Sequence, residues 1–175
     1  MDIIIKKIRE SEIDRVCGIL ASVISHMKKI GFTQWDTDYP NREILSRDID
    51  YGDLYGAYSD GYLIGFASLN QHQSQEYEEI AWEFGEPCLV VHRLQIDPEY
   101  RGQGIAYDIM LYAERLAQDS GCKAIRLDTR CDNIPAIRLY EKLGYERRGH
   151  VHFPRMPEYE FPCFEKYVSI TIDKQ

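Results

Sequence analysis

The sequence has no long apolar run. No window approaches the roughly 18 residues that a transmembrane helix needs, so no membrane segment is expected. The opening M-D-I-I-I-K-K-I-R-E-S-E-I-D meets charge after three apolar residues, too few for the core of a signal peptide. Paired cysteines are also missing. Cys17, Cys88, Cys122, Cys131 and Cys163 are odd in number, scattered, and never spaced C-x-x-C. That spacing offers neither a zinc site nor a redox pair, so no metal is expected and reduced thiols of a cytoplasmic protein are. Positive charge is scarce: 21 Lys and Arg stand against 29 Asp and Glu, a net charge of −8. A chain that acidic lacks the basic face that nucleic acid demands.

The deficit is uneven. From Arg101 to Arg148, nine Lys or Arg face seven Asp or Glu, so this stretch alone is locally basic. At its edge lies C88-L-V-V-H-R-L-Q-I-D-P-E-Y-R-G-Q-G-I-A106, where a strand-like run meets a proline corner and two glycines precede a helical pattern. A helix start exposes unpaired N–H groups and a positive dipole end, which suits an anion.

Patterning supplies the frame. Ile3–Lys7 reads as a strand. Ser11–Ile30 reads as an amphipathic helix with Ile13, Val16, Cys17, Leu20, Val23, Ile24, Met27 and Ile30 inward. A loop with Trp35 and Tyr39 follows, then a short helix over Asn41–Ile49. Leu54–Ser59 and Tyr62–Asn70 flank Asp60-Gly61, a strong hairpin signal. Residues 71–87 hold five glutamates and no Lys or Arg, and read as an irregular acidic insert. Cys88–Ile96 is the next strand. The segment Arg101–Ser120 runs from loop into a helix that buries Ile105, Ile109, Ala113 and Leu116. Lys123–Thr129 reads as a strand and Ile134–Leu143 as a helix closed by Gly144. Arg147–Phe153 and Phe161–Ile170 read as the last strands. The whole chain, 1–175, reads as a single α/β domain with a mixed sheet.

Two nucleotide motifs fail on R101-G-Q-G-I-A106. A phosphate loop of the P-loop kind needs Lys and Ser or Thr after its last glycine, and Ile105 and Ala106 stand there. A dinucleotide fingerprint needs a third glycine where Tyr107 stands. Further on, N133-I-P-A-I-R-L-Y-E-K-L-G-Y145 combines a helix cap, a first-turn proline, one apolar face and a terminating glycine.

Together these pieces resemble the GNAT superfamily of acetyl-CoA-dependent N-acetyltransferases. The strand H92-R-L-Q-I-D-P-E-Y100 is similar to the family's fourth strand. R101-G-Q-G-I-A106 is similar to its acyl-CoA pyrophosphate loop, and the Asn133–Tyr145 run to the helix beside the thiol. The resemblance implies a mixed, mostly antiparallel sheet of about seven strands with helices on both faces, splayed between the fourth and fifth strands. It implies acetyl-CoA as co-substrate and an amine of a small molecule or peptide as acceptor, in a monomer or homodimer. Backbone groups of Leu94, Gln95 and Ile96 would pair with pantetheine and supply the oxyanion donor. Arg101, Gly102, Gln103, Gly104, Ile105 and Ala106 would hold the diphosphate, with Asn133 as a further cofactor contact. Tyr140 would be the general acid that also touches the cofactor. Trp35 and Tyr39 would shape the acceptor pocket or staple their loop.

The general base stays open. Where some members carry a Glu early on the fourth strand, this chain reads Leu89-Val-Val-His92. His92, Glu79, Glu83 and Asp128 are the candidates, and a water chain is another route. The missing carboxylate also leaves room for a catalytically silent acyl-CoA sensor or partner-binding module on the same fold.

Overall fold

The computed structural model describes residues 2–32 and 38–168. Trp35 lies outside them, so its expected place at the acceptor pocket is not described. The elements run β1 (Ile4–Lys7), α1 (Ile13–Lys29), α2 (Arg42–Asp50), β2 (Leu54–Ser59), β3 (Tyr62–Asn70), β4 (Cys88–Ile96), α3 (Ile105–Asp119), β5 (Ala124–Asp128), α4 (Ile134–Lys142), β6 (Glu146–Val151) and β7 (Phe161–Tyr167). The seven strands form one sheet in the order β1-β2-β3-β4-β5-β7-β6. The pairs β1–β2, β2–β3, β5–β7 and β6–β7 are antiparallel and β4–β5 is parallel, as expected for a mixed, mostly antiparallel sheet.

The chain forms two compact units: Met1–Leu69 with Arg93–Tyr112, and Asn70–His92 with Ala113–Gln175. In the first unit, Asp60 and Gly61 both take positive φ, 49° and 81°, which fits a twisted two-residue hairpin. The face of α1 buries Val16, Ile19, Leu20, Val23 and Met27. Ile30, expected inside, is 62% exposed because the helix has already ended at Lys29. Gly65 leaves room where a Cβ would stand 2.7 Å from Ile96 Cδ1 and 2.8 Å from the Gln95 carbonyl. The Asp97 N–H then donates to the Ile64 carbonyl at 2.9 Å, fixing the end of β4.

In the second unit, β4 and β5 pair only from Cys88↔Ala124 to Val90↔Arg126. The ladder stops there although β5 continues to Asp128, which matches the expected parting of the sheet. Antiparallel β7 pairs with β5 on one side and β6 on the other. Helix α3 buries Ala117 where the sequence pointed to Leu116, which is half-buried.

The acidic segment is the main departure from expectation. It holds a 3-10 turn over Gln75–Glu79, and Tyr77 is 3% exposed within a core of Cys88, Val90, Ala124, Val151, Phe161 and Cys163. Ile80, Trp82 and Phe84 pack against the same core. Glu165, fully buried, accepts from the N–H of Glu83 at 2.9 Å and from Arg126 Nε at 3.1 Å. Arg126 also lies 4.5 Å over the Trp82 ring. Glu78, Glu79, Glu83 and Glu86 are exposed while the aromatics between them anchor the segment.

Candidate active site

The mouth of α3 is built from two glycines in left-handed conformation. Gly102 has φ +77° and Gly104 +84°, a region that costs a side-chain-bearing residue about 1–2 kcal/mol. Nothing lies within 4 Å of a Cβ added at either, so glycine is demanded by backbone shape and the loop faces open space. Arg101 through Gly104 are exposed. The Gly104 carbonyl accepts from the Asp108 N–H at 3.0 Å, which starts the helix there. The first turn of a helix leaves N–H groups without intrahelical partners, and here those of Ile105 and Ala106 are among them. Such a glycine-flanked helix start fits an anion. On β4, Leu94 is half-buried, while Gln95 and Ile96 are buried.

Just before them, Arg93 has φ +52°. A strand residue in that region breaks the alternation of sides, and sequence reading had no signal for it. Its guanidinium is held by Asp48 through Nε at 3.0 Å and Nη2 at 2.5 Å, and donates to Tyr39 Oη at 3.3 Å. Tyr39 is half-buried and packs against the core of the first unit.

The second unit gathers Tyr140, Asp128 and Tyr77. Helix α4 starts at Asn133, whose Oδ1 accepts from the Ala136 N–H at 3.4 Å. It ends in a double-bonded glycine cap: Tyr145 N–H to the Tyr140 carbonyl at 3.0 Å, and Gly144 N–H to the Glu141 carbonyl at 3.0 Å. That cap brings the Tyr145 ring within 6.2 Å of the Tyr140 ring, and Phe164 packs at 5.7 Å. Tyr140 is 6% exposed and clamped between the two. Burial, and then the charge of Asp128, push its phenol above the usual range, so it stays protonated.

Asp128 closes β5, opposite Cys163 on β7. Tyr77 Oη donates to its Oδ1 at 2.7 Å. Burial pushes its carboxyl up to about 6; the Tyr77 hydrogen bond and the Arg155 charge pull it down, and Glu76 adds to the rise. The other base candidates are placed differently. His92 Nε2 stands 3.2 Å from Asn70 Oδ1 and 3.0 Å from the His72 carbonyl. A carbonyl only accepts, so Nε2 carries the proton and base duty would fall to Nδ1. Glu79 and Glu83 are exposed, and Glu83 pairs with Arg148 at 2.5 Å. Of the four, Asp128 is the one whose charge acts on Tyr140.

Two side chains that sequence reading missed shape this cluster. Tyr77 was hidden inside a run that looked solvated. Arg130, 2% exposed, makes a two-pronged bond to Asp132 at 2.6 and 2.7 Å and lies 4.2 Å over the Tyr159 ring. Its carbonyl accepts from the Asn133 N–H at 2.9 Å, which sets the start of α4. A hollow of about 340 Å³ lined by Gln71, Gln73, Glu86, Pro87 and Cys88 sits where β4 begins, at the opposite end of the β4–β5 pair from Asp128.

Comparison with known proteins adds an independent line. The model of the Acetyltransferase (GNAT) family matches residues 20–145. The spermine/spermidine N(1)-acetyltransferase of Bacillus subtilis is 30% identical over 109 residues, covering 62% of this chain and 68% of its own. Other curated relatives are longer, and the matches cover 35% and 48% of two of them. An acetyltransferase of the GNAT family from Streptococcus agalactiae superposes with TM-score 0.82 at 25% identity, covering 95% of this chain and 96% of that one. The PaiA N-acetyltransferase of Thermoplasma acidophilum, solved in complex with coenzyme A, superposes with TM-score 0.71 at 21% identity, covering 95% and 99%.

Proposed function

The chain belongs to the acetyltransferase (GNAT) family, and from that premise we propose that it moves an acetyl group from acetyl-CoA to a primary amine by direct attack on the thioester. One observation carries the reading: a clamped, protonated Tyr140 beside a carboxylate, Asp128, whose pKa of about 6 suits a base near neutrality. Whole-chain service as one acetyltransferase domain is part of the proposal.

The residues present fit the co-substrate. The glycine-flanked amides of Arg101–Ala106 receive the diphosphate, since the open loop admits its oxygens and the helix start favours negative charge. Leu94, Gln95 and Ile96 offer backbone groups to pantetheine, and an amide there would steady the carbonyl oxygen as it gains charge. Asn133 adds a polar contact while capping α4. In support, the Thermoplasma acidophilum protein of the same fold was solved with coenzyme A.

The chemistry then balances as follows. A nitrogen–carbon bond forms and the carbon–sulfur bond breaks. Asp128 takes the proton from nitrogen as the new bond raises that nitrogen's acidity. Tyr140 donates a hydrogen bond and a proton to the departing sulfur, whose thiol has a reference pKa of about 8.5, and the proton taken up by Asp128 then restores the phenol directly or through solvent. The acceptor we favour is a small cationic amine. Glu78, Glu79, Glu83 and Glu86 are exposed on the segment that carries Tyr77, and the Bacillus subtilis relative is named for spermine and spermidine.

The test is release of free thiol from acetyl-CoA over a panel of polyamines, aminoglycosides and lysine peptides, with product mass confirming acetylation. Amine-dependent release supports the reading. Coenzyme A binding with no release on any amine would instead mark a silent acyl-CoA sensor.

A further inference from the structure

Away from the Tyr140 cluster, one group of side chains has the make-up of a metal site. His150, His152 and Glu160 each offer a donor atom, and these atoms lie within 4.8 Å of one another. The strand builds the cluster. Val151 is buried at the end of β6, so its neighbours on either side turn the other way, outward. Val151 pairs with Phe161 and His150 with Pro162. Glu160, one residue before β7, therefore comes up against the two imidazoles. His150 Nε2 stands 3.8 Å from Glu160 Oε1, and the two rings meet edge to face at 5.7 Å.

A second observation points to a ligand. His152 Nδ1 lies 3.2 Å from the Pro157 carbonyl. A carbonyl only accepts, so Nδ1 carries the hydrogen and Nε2 keeps its lone pair. Donation of the second ring N–H to a backbone carbonyl is how metal-binding histidines are usually oriented. Zinc–nitrogen and zinc–oxygen bonds of about 2.0–2.2 Å at tetrahedral angles place donor atoms about 3.3 Å apart. The present donor atoms lie within 4.8 Å of one another, so an ion would draw the three exposed side chains closer. Two imidazoles and one carboxylate suit zinc and its first-row neighbours, whereas calcium and magnesium favour oxygen sets.

We propose that His150, His152 and Glu160 bind a divalent ion of the zinc class and that the ion clamps the connection between β6 and β7. Three protein ligands leave one position for water. The clamp would steady Tyr159, which stacks on Arg130, and Arg155, which lies in the same connection. Sequence spacing hid the site because Glu160 is eight residues from His152 and joins it only through strand pairing.

The test uses untagged full-length protein, freed of metal with a chelator and titrated with zinc chloride alone by calorimetry. Cobalt(II) serves as a spectroscopic probe of tetrahedral coordination. The expected result is one equivalent bound, with His150→Ala or His152→Ala each weakening affinity at least about tenfold. Because all three residues are exposed, circular dichroism of these variants should match the parent. Zinc should also slow tryptic cleavage after Arg155 in the parent and not in His152→Ala. Binding unchanged in the His150→Ala/His152→Ala double variant, or lost on Cys131→Ser at the exposed thiol, would overturn the site. Cleavage unaltered by bound zinc would overturn the clamp.

Discussion

Tyr77 donates its hydroxyl hydrogen to Asp128 at 2.7 Å, joining a residue of the acidic segment to the end of β5. The bond favours the carboxylate, while burial favours the neutral acid and wins, leaving the group at about 6.

The sign of the pH dependence follows. A base works when deprotonated, so kcat/KM should rise as pH climbs through about 6. Tyr77→Phe removes a bond that lowers the pKa, so the acid limb should move to higher pH. Arg155→Gln should move it the same way and Glu76→Gln the opposite way. Initial rates from pH 5 to 8 check this. A limb unmoved by all three would remove Asp128 from the base role.

Gly102 and Gly104 should matter through backbone shape. Gly104→Ala meets no atom within 4 Å but must hold φ +84°, costing about 1–2 kcal/mol or a local rearrangement. Acetyl-CoA should raise the melting temperature of the parent, and of Gly104→Ala much less. Acetyl-pantetheine, which lacks the diphosphate, should stabilise both only slightly. Equal stabilisation of the parent by the two thioesters would contradict a diphosphate site at Arg101–Ala106.

Glu165 tests what holds the acidic segment. It is fully buried and accepts from Arg126, Arg148 and the N–H groups of Glu83 and Phe84. Glu165→Gln leaves the buried Arg126 guanidinium without its carboxylate, while Arg148 keeps Glu83 and Glu146, and breaking a buried pair from one side typically costs about 3–5 kcal/mol. Denaturant titration should show that loss. A change below about 0.5 kcal/mol would mean that the aromatics alone anchor the segment.

These residues also show which parts were legible in the sequence. The glycines at Gly102 and Gly104, the Asn133 cap and the Gly144 stop are local features, and local backbone chemistry announces them. The helix that carries Tyr140 was legible because it has its own cap at each end, whereas the role expected of Tyr140 came from the family resemblance. Tyr77 was not, since one buried aromatic among exposed glutamates has no period to betray it. Arg93 escaped for a related reason: its left-handed turn is held by Asp48, 45 residues away. Arg130 looked like one more surface charge, and only Asp132 and Tyr159 explain its burial.

The most direct measurement compares the parent with Tyr140→Phe on the best amine in the panel, reading turnover and acetyl-CoA affinity together. The substitution keeps the ring between Tyr145 and Phe164 and removes only the hydroxyl. Loss of a general acid typically lowers the rate about 100- to 10,000-fold. The account predicts that fall in kcat with affinity changed less than about tenfold, or ~1.4 kcal/mol. Turnover within a few-fold of the parent would contradict it, and would leave Tyr140 as packing between β7 and the end of α4.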